Sequence, residues 1–130
     1  MKILLDTHTL IWALEDSYRL PNKIKEMIID ENNTIYASVI SLWEIAIKHK
    51  KNPKIIPFSA EEIREYSQKA GYIFLSLSVT NIEAFESLSF TNNTDPFDQM
   101  LISQSESNNM LFLTHDKKIA EFNIGYVELY

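Results

Sequence analysis

The sequence predicts an α/β fold with a mainly parallel central sheet and helices on both sides. One observation is the continuous apolar run Ile3-Leu4-Leu5, which stops at Asp6 as a strand buried on both faces does. A second is the steady alternation of strand and helix signals, without repeat, linker or low-complexity segment, over 130 residues, which is the pattern of βαβ units. A third is positional: Asp6, Asp98 and Asp116 each fall where a strand has just ended or a helix has just begun. In open α/β sheets that edge binds ligands.

The elements follow in order. After the strand ending at Asp6, residues 7–14 read as a helix with Leu10, Ile11 and Leu14 on its apolar face, broken over 16–21 by Pro21. Ile24, Met27 and Ile28 mark a second helix at 22–30, closed by the turn formers Asn32 and Asn33. Residues 35–38 are the second strand. Ser41 and Glu44 match a capping box, so the next helix is expected to start at Ser41 and run to 51. Pro53 and Pro57 make 52–58 a loop, Ser59 with Glu62 caps a helix to residue 70, and Gly71 ends it. The third strand is expected at 72–77, then a helix opened by Thr80 and Glu83 and reaching 88, then an exposed polar loop at 89–94. Asp95 is placed to cap a helix with Pro96 in its first position and Met100, Leu101 and Ile102 on its buried side. A strand at 110–113, a short helix at 116–122 and a strand at 126–129 complete the chain.

Composition removes several classes of function. There is no cysteine, hence no disulfide framework and no thiol chemistry, which fits a reducing compartment. Ile3–Leu5 is too short for the apolar segment of a signal peptide, and no run approaches the ~18 residues of a membrane span. A cytosolic chain is expected. The formal charge of −6 argues against a generally basic nucleic-acid surface, and a concentration of acids in one pocket accounts for most of it.

Right-handed crossovers bring the segments carrying Asp6, Glu44, Asp98 and Asp116 to one edge of the sheet. Four carboxylates in one pocket repel one another and raise pKa values unless a cation neutralises them, and an all-oxygen donor set suits Mg²⁺ or Mn²⁺ rather than zinc. Each acid also has an ordinary structural reading. Asp6 and Asp116 stand where helix caps stand, Glu44 is accounted for by its capping box, and Asp95 reads as a cap more readily than as a ligand. Asp98 differs, because Asp95 already holds the cap position and leaves Asp98 in the first turn.

In this order LLDTHTLIWAL, SLWEIAIK, DPFDQMLISQS and LFLTHD resemble the signature of PIN-domain ribonucleases, in particular the VapC toxins of bacterial toxin–antitoxin pairs. The resemblance covers nearly the whole chain from Ile3 onward. It implies a single PIN domain over residues 1–130, built as a three-layer α/β/α sandwich. It also implies an endoribonuclease that uses one or two Mg²⁺ or Mn²⁺ ions and leaves a 5′-phosphate and a 3′-hydroxyl. Asp6, Glu44, Asp98 and Asp116 are the implied acidic quartet, Asp95 an additional acid, and Thr7 and Thr114 polar positions beside them. Gln99 departs from the family pattern, since many relatives carry arginine there; any contact made by that arginine is lost, while the metal site is untouched. The implied partners are RNA, an antitoxin whose C-terminal segment occupies the groove, and a second copy in a homodimer; expression alone is expected to arrest bacterial growth.

Lys48, Lys50, Lys51, Lys117 and Lys118 either flank the pocket and hold phosphates or only solvate helix ends. Trp12 and Trp43 read as core, and His8, His49 and His115 as packed or solvated residues without a catalytic part. Two other classes compete. A phosphatase of the haloacid-dehalogenase type requires a second aspartate two residues after the first, where this chain has His8. A non-catalytic PIN-like module would keep the acids for a structural ion or a partner.

Overall fold

The structure, a computed structural model, describes residues 1–89, 95–120 and 127–130. Five described strands, β1 (Lys2–Leu5), β2 (Thr34–Ser38), β3 (Ile73–Leu75), β4 (Leu111–Thr114) and β5 (Val127–Leu129), form one sheet in the order β3-β2-β1-β4-β5. Every neighbouring pair is parallel. The helices between them are α1 (Thr7–Glu15), α2 (Asn22–Ile29), α3 (Val39–Lys51), α4 (Ala60–Lys69), α5 (Val79–Ser87), α6 (Pro96–Ser107) and α7 (Lys117–Ala120). The loop expected at 89–94 lies outside the described residues from Phe90 on, as do Glu121 and Phe122 of the expected last helix and Tyr126 of the last strand.

β1 is the central strand, and Ile3, Leu4 and Leu5 are wholly buried. Successive side chains of a strand point to opposite faces, so Ile3 and Leu5 enter one core with Leu10, Ile24, Ile45 and Ile63. Leu4 enters the other with Ile40, Leu101, Ile102, Phe112 and Ile119. The sheet is thus the middle of three layers, as expected, with α1, α2 and α4 contributing to one side and α6 to the other. No described helix is long and apolar enough to cross a membrane.

Two helix starts differ from expectation. α3 begins at Val39, capped by Ser38, whose hydroxyl accepts the Ile40 N–H at 3.0 Å. The predicted Ser41–Glu44 capping box therefore does not form. β2 runs straight into the helix, and the extended backbone of Ser38 makes it the cap. α5 is capped three residues after β3 by a reciprocal Ser78–Asn81 pair, in place of Thr80 and Glu83.

Candidate active site

The strand order creates the site. From β1 the chain steps outward through β2 and β3, then returns to pair β4 on the other side of β1, leaving a crevice at the carboxyl ends of β1 and β4 where the order reverses. Asp6 follows β1 there and is 5% exposed. Its N–H donates to the Leu113 carbonyl at 3.1 Å. One carboxylate oxygen accepts the Thr9 N–H at 2.7 Å, capping α1, and the other accepts the Thr114 hydroxyl. Asp6 is therefore both a cap and a wall of the crevice.

Glu44, freed of a capping role, is 4% exposed. Thr7 Oγ1 lies 2.7 Å from one of its oxygens and 3.0 Å from Ser41 Oγ. A hydroxyl has one hydrogen, and the charged acceptor makes the stronger bond, so Thr7 donates to Glu44 and accepts from Ser41. The other Glu44 oxygen pairs with Lys48 Nζ at 2.6 Å, one turn along α3.

Asp95 caps α6 as expected, its side chain accepting the Asp98 N–H at 2.8 Å, with Pro96 opening the helix. Asp98, half-buried in the first turn, has its carboxyl pushed up to about 8, first by burial and then by the charges of Asp95, Glu44, Asp6 and Asp116. Asp116 follows β4. Its N–H donates to Thr114 Oγ1 at 3.1 Å, and its carbonyl accepts the Ile119 N–H at the start of α7.

All five predicted acids line one cavity of about 100 Å³, together with Thr7, His8 and Lys48. Among the described residues, no three acidic or imidazole side chains are already set around a common point as metal ligands. The hydrogen bonds explain part of this. Thr9 and Thr114 hold Asp6, Thr7 and Lys48 hold Glu44, and Lys48 already places one positive charge against the acids. Carboxylate and hydroxyl oxygens nonetheless dominate the lining, and the Asp98 carboxyl, raised by burial and then by its acidic neighbours, marks a concentration of negative charge that a hard divalent cation relieves.

The remaining residues separate around this cavity. Lys48 belongs to it, while Lys50, Lys51 and Lys117 are exposed and the side chain of Lys118 lies outside the described ones. Lys51 joins Lys48 and His8 around a neighbouring hollow of about 290 Å³. His49 is half-buried, its Nδ1 2.6 Å from the Ile56 carbonyl, and ties the end of α3 to the following loop. Trp43 is not core: it is 60% exposed, because α3 buries Ile40, Ser41, Glu44 and Ile45, and it lies edge-on to Phe97 at 5.2 Å. Trp12 packs on the core as expected but also lines a cavity beside the acids with His8 and His115, both exposed. Nothing local in the sequence marks that grouping, since it joins α1 to the residue after β4.

A larger cavity, about 520 Å³, opens at the amino-terminal edge of the sheet around Ile29, Thr34, Gly71 and Tyr72. Its acids, Asp30 and Glu31, are exposed turn residues, so its size carries no comparable chemistry.

Comparison with known proteins agrees with this fold. No curated protein matches the sequence. Among solved structures, the chain is similar to one described as VapBC2 from Rickettsia felis bound to a DNA fragment from their promoter, with a TM-score of 0.72 and 19% identity, covering 99% of this chain and 98% of that one. It is also similar to a toxin–antitoxin complex from Klebsiella pneumoniae, with a TM-score of 0.64 and 17% identity, covering 97% and 95%. At such identities the likeness concerns the fold. A family model described as PIN domain matches residues 3–124, spanning every acid of the crevice, and the chain belongs to the PIN domain family.

Proposed function

We propose that this chain is a metal-dependent endoribonuclease, the toxin of a VapBC-type pair, acting in the cytoplasm as a single PIN domain. The observation that supports it most is the convergence of Asp6, Glu44, Asp95, Asp98 and Asp116 on one cavity at the carboxyl edge of the sheet. Asp6, Glu44, Asp98 and Asp116 are the residues we assign to hold Mg²⁺ or Mn²⁺, as one or two ions, with Asp95, the cap of α6, as an additional acid of the same cavity. When bound, such a cation supplies charge that activates water and stabilises the leaving oxygen of a phosphodiester.

The protein's own part is to orient and to manage protons. Thr9 N–H and the Thr114 hydroxyl fix Asp6, and Thr7 with Lys48 fixes Glu44. The Asp98 carboxyl, raised by burial and by its acidic neighbours, holds a proton more readily than an ordinary aspartate and must be ionised to become a ligand. Lys48, beside the acids, offers a contact for an RNA phosphate.

The fold neighbours are toxin–antitoxin complexes, which supports an antitoxin partner for this chain. A homodimer is part of the same proposal, since most soluble oligomers are two-fold symmetric. A non-catalytic reading has one observation in its favour, the lack of a preset ligand cluster among the described residues. Incubating the purified chain with total RNA in Mg²⁺ or Mn²⁺, beside an EDTA control and a generic phosphatase substrate, tests the proposal. Discrete RNA fragments that need metal, with no phosphatase turnover, support it. Intact RNA in every metal, with normal growth on expression, leaves a binding module.

A further inference from the structure

His8, Trp12 and His115 form an aromatic wall beside the acids. The His8 and Trp12 rings lie 5.9 Å apart, and Trp12 and His115 5.5 Å apart, nearly edge to face. With Asp6 and Asp116 they line a cavity of about 300 Å³, within the size range of small-molecule sites. Asp6, His8 and Asp116 border both this cavity and the carboxylate cavity, so the two are neighbours.

The wall is held in place. His115 Nδ1 is 2.6 Å from the main-chain oxygen of Tyr130; because that oxygen can only accept, Nδ1 carries the hydrogen. The Tyr130 ring packs against His115 at 5.1 Å, and its hydroxyl lies 2.6 Å from Thr9 Oγ1. Trp12 is seated on the core, and the Arg19 guanidinium lies 5.7 Å from its ring centroid. Aromatic and imidazole rings around a cavity are the surroundings in which unpaired bases stack.

Resting on the ribonuclease reading, we propose that this cavity is a nucleobase subsite: the nucleotide next to the bond being cut places its base among His8, Trp12 and His115. A base is flat and uncharged, so it can sit beside Asp6 and Asp116 without the repulsion that a phosphate meets there. An aromatic side chain of a protein partner is the competing occupant.

The experiment uses a Trp43→Phe background, in which Trp12 is the remaining tryptophan. Adenosine is titrated in EDTA while Trp12 emission is followed, with ribose and the non-indole phenylalaninamide as separate probes. Saturable quenching by adenosine and none by ribose is expected. His8→Ala and His115→Ala, both at exposed positions and checked for unchanged melting, should each weaken adenosine binding by about fivefold or more, as loss of a stacking partner does. The proposal is overturned if adenosine leaves the emission unchanged, if both alanine variants bind it as well as the parent, or if phenylalaninamide changes the emission where adenosine does not. Cleavage of RNA in Mn²⁺ by the same samples keeps the two readings apart. Cleavage without adenosine binding removes the subsite alone, whereas adenosine binding without cleavage supports the base site and removes the nuclease.

Discussion

The Asp95 carboxylate accepts the backbone N–H of Asp98 at 2.8 Å, so the first acid of Asp95-Pro96-Phe97-Asp98 fixes where the second one stands. Asparagine caps a helix about as well as aspartate, while alanine costs about 1 kcal/mol. Asp95→Asn should therefore melt like the wild type and lose only part of its cleavage activity, and Asp95→Ala should melt lower. An inactive Asp95→Asn beside a fully active Asp98→Asn would reverse the assignment of the two acids.

Metal-free stability should depend on pH through Asp98. Its carboxyl titrates at about 8 in the native chain and near ~4 in an unfolded one, so between those values the native state holds the extra proton. The resulting stability is fully present below about pH 4 and is lost as pH rises through about 8. The melting temperature in EDTA should fall across that window. Asp98→Asn, uncharged throughout, should fall less and become the more stable protein within that window. Parallel profiles for the two proteins would show that Asp98 does not carry the excess charge.

Lys48 tests the same charge balance from the other side. Its side chain is 45% exposed while that of Glu44 is 5% exposed, so the pair is discounted for solvent, to about 1 kcal/mol. Lys48→Met should lower metal-free melting by a few degrees, and Mn²⁺ should raise the melting of the variant more than that of the wild type. Equal metal responses would place the cation away from Glu44.

Mg²⁺ or Mn²⁺ should bind the native chain and not the unfolded one, raising the melting temperature with metal concentration by about 2.7 kcal/mol of stability at a hundred times the dissociation constant. A thermal scan across millimolar metal measures this directly. Flat melting in Asp6→Asn and Glu44→Gln beside a rising wild type would tie the effect to these carboxylates.

What the sequence made legible was local. Ile3-Leu4-Leu5 announced a central strand, Asp95-Pro96 a capped helix, and Ser59 with Glu62 the capping box that the structure contains. Ser41 and Glu44 matched the same box but are used differently, because Ser41 faces Thr7 across the core, a contact between residues 34 apart in sequence. Trp43 was misplaced for a related reason: the cap at Ser38 sets the start of α3, and the face that includes Trp43 turns outward. The meeting of Asp6, Glu44, Asp98 and Asp116 could be anticipated from their positions at strand ends and helix starts, whereas Asp95 joined them only through the family resemblance. The altered proton affinity of Asp98 could be assigned only once its burial and neighbours were visible. The grouping of His8, Trp12 and His115 depends on β1 pairing with β4, which no local pattern encodes.

The most direct measurement is cleavage of a single-stranded RNA by wild type and Asp98→Asn in Mn²⁺, each with an EDTA control and each confirmed folded by its melting curve. The account predicts metal-dependent fragments from the wild type and a loss of orders of magnitude in a variant whose fold is intact. Cleavage that persists in EDTA, or an Asp98→Asn protein that cuts as fast as the wild type, would contradict the carboxylate cavity as the seat of the chemistry.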